Sequence, residues 1–185
     1  MPRLELLEMD EIPDEYHYLF SDEYLGDRNV FRAWANNPEV LEATMEFLET
    51  LYDQLTDREK ELVILTVARG RDAKYEWHQH VDIARDAGVT MAEMRAIGGG
   101  DLSVFQDGEL ALLQYANAEE RDAMTDRIHA ALARHYAPDE IVAIGLLVDF
   151  YLGLCNDIDA MGLPFEGGEF VGWQPTAERV AEIWD

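Results

Sequence analysis

Residues 56–88 read TDREKELVILTVARGRDAKYEWHQHVDIARDAG. Thr56 followed by Glu59 is a capping box, in which two side chains satisfy the free amides at a helix start. The apolar run Leu62 to Ala68 comes directly after it. A second helical pattern runs from Lys74 to Ala87 and stops at Gly88, a residue that ends helices well. No part of the stretch alternates apolar and polar residues with the period of two that a strand requires. It predicts two helices in succession.

The flanks continue in the same style. Pro38 opens a helix over Glu39 to Leu51, with apolar residues at 40, 41, 45, 47, 48 and 51. Thr90 and Glu93 form another capping box, for a short helix ending at Gly98-Gly99-Gly100, which reads as the best internal linker. Glu109 to Ala118 and Ala123 to Tyr136 also read as helices. Pro138 opens a long one through Ala160, closed by Gly162 and Pro164. It is apolar nearly all round, so burial by neighbours or by a partner subunit is expected. The Gly-rich tail from Pro164 to Pro175 carries Phe165, Phe170 and Trp173 and is expected to lie over the body. A short helix follows from Thr176. The expected fold is an all-α helical bundle, a single domain over residues 1–185.

The chain holds 14 basic and 39 acidic residues, a net charge of −25. This argues against nucleic acid and against anionic membranes as partners. Twelve of the basic residues are Arg, and only Lys60 and Lys74 are Lys. An acidic surface with few lysines suits a salt-rich cytoplasm, where salt screens the self-repulsion; the expectation is a halophilic, cytoplasmic protein. Cys155 is the only cysteine, so there is no internal disulfide, no CxxC pair and no cysteine-based zinc site. Met1 to Asp14 is acidic and unlike a signal peptide. No run of about 18 residues reads as apolar enough to span a membrane. The longest candidate, Ile141 to Met161, is interrupted by Asp149, Asn156, Asp157 and Asp159.

Chemistry concentrates between Arg58 and Gly88. On a helix Glu61 shares a face with Arg58, Ile64, Leu65 and Ala68, so its carboxylate lies along a buried stripe. A buried carboxylate is either a structural ion-pair partner or an acid–base group. His80 has Trp77, Ile83 and Ala84 as face neighbours, with Glu76 one turn earlier. It is either a satisfied core histidine or an acid–base group whose tautomer a carboxylate fixes. A metal held by Glu61, Glu76 and His80 is chemically possible but disfavoured, since no second histidine shares their faces. His78 points to another face and is expected to be exposed or at an interface; His129 and His135 are expected on helix surfaces. Tyr75 and Trp77 read as core or as pocket lining. Asp149, between Val148 and Phe150, needs a partner, with Arg69 or Arg71 as candidates, or else faces a cavity. Cys155 reads as a packing residue.

Several stretches together resemble the carboxymuconolactone decarboxylase family, which includes the alkyl hydroperoxidase D group. They are Arg58 to Ala68, Tyr75-Glu76-Trp77 with His80, and Ala84 to Thr90. Asn29-Val-Phe31, Asn37-Pro38 and Phe150-Tyr151 extend the likeness to roughly residues 28–165. The resemblance implies an all-α fold around a helical hairpin that assembles into trimers or hexamers. In the peroxidase branch a glutamate, a Cys-x-x-Cys pair and a histidine relay protons. Glu61 and His80 match the first and last, but Ala73 and Glu76 stand at the cysteine positions. The decarboxylase branch lacks that pair and uses acid–base residues without a cofactor. The resemblance therefore implies a cofactor-free lyase acting on a small lactone or carbonyl acid, with Glu61, Glu76 and His80 as catalytic residues. The alternatives are a peroxidase dependent on Cys155 and a non-catalytic oligomer.

Overall fold

The computed structural model describes residues 2–21, 26–166 and 168–184; Met1, residues 22–25, Gly167 and Asp185 lie outside the described residues. Among the described residues the secondary structure is entirely helical. Two 3-10 segments, Met9–Glu11 and Asp14–Phe20, precede α1 (Asn29–Trp34), α2 (Pro38–Tyr52), α3 (Asp57–Gly70) and α4 (Lys74–Asp86). Then come α5 (Met91–Gly99), α6 (Asp107–Glu120), α7 (Asp126–Leu132), α8 (Pro138–Met161) and α9 (Ala177–Trp184).

The helix α3 is the axis of the molecule. Every residue from Glu61 to Ala68 is buried. Val63, Ile64 and Val67 face one apolar cluster, with Leu41, Leu48, Leu112, Ile144 and Tyr151. Leu62, Leu65 and Ala68 face a second, with Trp77, Met94, Leu113 and Val180. Each fully buried Leu or Val contributes about 1.5–3 kcal/mol relative to exposure. The Thr56–Glu59 capping box forms as expected. Arg58 then holds the start of α3 to its neighbours, bonding Glu109 at 2.7 Å, Glu93 at 2.7 Å and the Gly88 carbonyl at 2.7 Å.

The hairpin from α3 to α4 turns on Asp72, at φ 54°. Aspartate is among the few non-glycine residues that tolerate this left-handed conformation. The turn lets the Ala73 amide donate to the Ala68 carbonyl at 2.8 Å and starts α4 antiparallel to α3.

Three expectations need correction. The helix read over Ala123 to Tyr136 is shorter, Asp126–Leu132, because Thr125 caps its start by accepting from the Ile128 amide. The chain then turns, and the Tyr136 hydroxyl donates to Glu59 at 2.8 Å. The glycine triplet is no linker. Gly98 and Gly99 lie within α5, and Gly100 caps it at φ 75°. A Cβ on Gly98 would sit 1.7 Å from the Trp173 carbonyl oxygen, so the glycine is there for close approach of the tail. Finally, α8 is long and apolar enough, by length and composition, to cross a membrane, although its sequence was read as too interrupted. Its acids sit on the outer side, while Ile144, Leu147, Val148, Tyr151, Leu154 and Ile158 pack into the bundle. A core helix has the same composition.

The tail spans Gly167 and Asp185, which lie outside the described residues, but the rest of it runs over the body as expected. The indole N–H of Trp77 donates to the Gly172 carbonyl at 2.9 Å, and the Trp173 ring meets Trp77 edge-on at 5.3 Å.

Candidate functional site

The hairpin brings Glu61, Glu76 and His80 together. Glu61 lies on the wall of α3, and Glu76 and His80 lie one turn apart on α4. The His80 ring stands between the two carboxylates: Nδ1 is 2.9 Å from Glu61 Oε2 and Nε2 is 3.0 Å from Glu76 Oε1. All three side chains are buried. Burial by itself would lower the His80 pKa; the two carboxylates outweigh it and push it up to about 10. The ring is therefore an imidazolium that donates from both nitrogens, since a carboxylate can only accept. The arrangement is Glu–His–Glu, one mobile proton more than the carboxylates alone would hold.

The same three residues line a cavity of about 190 Å³. Its remaining walls are mainly aromatic and aliphatic: Phe31, Trp34, Met45, Tyr52, Phe150 and Tyr151. Arg28 adds a cation to the wall. The volume is small beside the roughly 300–1,000 Å³ of sites for drug-sized ligands. The Tyr151 ring stands edge-on to His80 at 5.6 Å, and its hydroxyl bonds that of Tyr52. Burial, then the nearby Tyr52, Glu76 and Glu61, raise the Tyr151 pKa well above its ordinary value. It stays a neutral hydroxyl beside the imidazolium.

The tail completes the wall. The Glu166 carboxylate accepts from the Tyr75 hydroxyl at 2.7 Å, from the Gln79 amide and from the Asn29 backbone N–H. Tyr75 and Gln79 both line the cavity. One tail residue thus fixes two wall residues and the start of α1.

His78 is fully buried, against the expectation of an exposed position. The tail is the reason. Its Nδ1 accepts from the Val171 amide at 3.1 Å and its Nε2–H donates to the Glu166 carbonyl at 3.1 Å. Phe165 and Trp184 pack on the ring at 5.2 and 5.1 Å. Burial lowers its pKa, so it is a neutral structural histidine. His129 is exposed on α7, as expected, while His135 is exposed in the turn after it rather than on a helix. Asp149 does not answer Arg69 or Arg71 across the bundle: it is exposed and, as the other expectation had it, lines a cavity between α1, α2 and α8, while Arg71 donates to Asn156 at 2.9 Å. Tyr75 lines the cavity, whereas Trp77 is core. Cys155 is buried in the second cluster, and burial raises its thiol pKa, against thiolate formation. Among the described residues no group of three His, Cys, Asp or Glu side chains is arranged to hold a metal ion. In the Glu61–His80–Glu76 set both ring nitrogens already carry a proton towards a carboxylate.

Sequence reading missed Tyr52, Gln79, Arg28 and Glu166 as parts of the site. An acid at 166 beside Phe165, one of two acids with Glu169 in an apolar, Gly-rich tail, was the available signal.

The sequence model of the carboxymuconolactone decarboxylase family matches residues 38–118, from the first residue of α2 to near the end of α6. A search of the curated proteins gave no match. Among solved structures, the chain is similar to the alkylhydroperoxidase core of an uncharacterized peroxidase-related protein from Ralstonia eutropha JMP134. The TM-score is 0.80 at 17% identity, over 95% of this chain and 98% of that one. It is also similar to the debrominase Bmp8 without ligand, with a TM-score of 0.78 at 16% identity, over 98% of this chain and 97% of that one. A variant of that debrominase in complex with 2,3,4-tribromopyrrole superposes with a TM-score of 0.75 at 16% identity, over 99% of this chain and 100% of that one. At these identities the likeness is one of fold.

Proposed function

We propose that this chain, whose residues 38–118 match the model of the carboxymuconolactone decarboxylase family, is a cofactor-free acid–base lyase acting on a small lactone or carbonyl acid. The observation that carries this reading is the His80 ring clamped by Glu61 and Glu76 on the wall of a largely apolar cavity. Loss of carbon dioxide from such a substrate leaves an enolate, which must be protonated at carbon. His80 supplies that proton: it passes from Nε2 to the Glu76 carboxylate and from there to the substrate carbon, and solvent later restores it. General acid–base catalysis of this kind accounts for about 10²–10⁴-fold in rate. Arg28 faces the substrate carboxylate, and the aromatic walls hold a planar ring. A debrominase of the same fold forms a complex with 2,3,4-tribromopyrrole, which supports a small ring as the kind of ligand.

The peroxidase reading finds no support in Cys155, which is the only cysteine and whose thiol burial keeps protonated. The non-catalytic reading requires the three side chains to be sealed away from any pocket, whereas all three line one.

The test compares the wild-type protein with His80→Gln on carboxylated lactones, following carbon dioxide release and, in heavy water, deuterium at the protonated carbon. Turnover is expected to fall by about 10²-fold or more. Unchanged turnover in the variant removes His80 from the reaction.

We also propose a homo-oligomer in a salt-rich cytoplasm. Val40 and Phe47 on α2, and Val142 and Leu146 on α8, are large apolar side chains left 40–61% exposed. Apolar surface of this kind favours subunit contact.

A further inference from the structure

A second cleft lies between α3, α5, α6 and α7, away from the His80 cavity, and has a volume of about 590 Å³. We propose that this cleft binds a small organic polyanion, carrying carboxylate or phosphate groups, through Arg69, Arg121 and Arg127.

Three of the twelve arginines of a chain at −25 line this one cleft. Arg69 is held ready: its Nε–H donates to the Gly98 carbonyl at 2.7 Å, and its guanidinium lies 4.7 Å from the centre of the Trp173 ring. Two acids share the charge. Arg69 is 3.9 Å from Asp72, and Arg121 is 3.3 Å from Glu120, its neighbour in sequence. Arg127 makes no hydrogen bond or ion pair with any described residue. The cleft thus carries more guanidinium than carboxylate.

An independent observation lies in the wall. Thr66, 2% exposed, lines the cleft, and its hydroxyl has no hydrogen-bond partner among the described residues. A helical threonine normally satisfies that hydroxyl on the carbonyl one turn earlier. A buried polar group left unpaired costs about 1–3 kcal/mol, which an acceptor on a ligand would relieve. Gln114 and Asn117 add amide groups to the same wall. The guanidinium fork matches the paired oxygens of carboxylate and phosphate. A concave site of this volume suits a small molecule rather than a flat protein surface.

This proposal stands apart from the lyase reading, because Thr66 and Arg69 lie on a different face of α3 from Glu61. The test titrates citrate and pyrophosphate, separately, into the full chain by calorimetry, with chloride at matched ionic strength as the reference. Saturable binding of either anion is expected, with pyrophosphate preference indicating a phosphate-bearing ligand and citrate preference a polycarboxylate. Arg127→Gln should weaken it about ten-fold, since a charged hydrogen bond is lost. Thr66→Val should weaken it by a smaller factor, and Arg134→Gln, outside the cleft, should leave it unchanged. Binding no different from chloride overturns the proposal, as does equal weakening in Arg134→Gln. So does a change of oligomeric state in Arg127→Gln without added anion, which would make these arginines a subunit contact.

Discussion

The clamp on His80 fixes the direction in which pH acts on the molecule. In the folded chain the ring keeps its proton up to about 10, against 6.5 for the free side chain. The pKa is raised on folding, so the stability it contributes is complete below pH 6.5 and is lost as pH rises through about 10. Urea unfolding midpoints should therefore fall over that window, and fall less in Glu61→Gln, where one of the two charges that raise the pKa is gone. A level profile in the wild type would mean that the ring is neutral when folded. The three residues themselves were legible from helical spacing. Glu76 and His80 sit one turn apart, and the face neighbours of Glu61 are apolar. What spacing could not show is that both ring nitrogens would be engaged, because the second partner comes from another helix. His78 misled for the same reason: its own helix gives no hint that the tail caps it.

At the scale of elements, the capping boxes and the proline and glycine stops marked the helices well, since these signals are local. Thr56, Thr90 and Pro138 each open a helix where the sequence indicated. The failures were tertiary. The stretch after Leu132 leaves the helix to place Tyr136 on Glu59, and the glycines of α5 serve a contact with residues far along the chain. This gives a direct prediction for the docking of the tail. Gly98→Ala puts a methyl group against the Trp173 carbonyl and should cost about 1–3 kcal/mol by overpacking. Trp173 and Trp184 should become more accessible to a fluorescence quencher. Unaltered stability and quenching would show that the tail does not need this approach.

For the molecule as a whole, the charge of −25 sets the response to salt. Raising KCl from about 0.1 M to about 2 M shortens the reach of the repulsion to a few ångströms. The melting temperature should rise, and light scattering should show tighter subunit association through the apolar faces of α2 and α8. A melting temperature that falls with salt would indicate that the surface acids are held by compensating ion pairs. The helical bundle was legible in the sequence because periodicity reports burial, while the two clefts were not, because each is walled by helices distant in sequence. The division of the His80 cavity between chain segments has a consequence for how such a protein can change. Glu61, Glu76 and His80, the proposed proton-handling groups, sit on one hairpin, and the rest of the cavity wall comes from α1, α2, α8 and, through Glu166, the tail. Substitutions at Phe31, Trp34 or Phe150 would reshape the cavity without touching the Glu61–His80–Glu76 cluster, so under the proposed function selectivity could change by single mutations while the acid–base groups stay as they are.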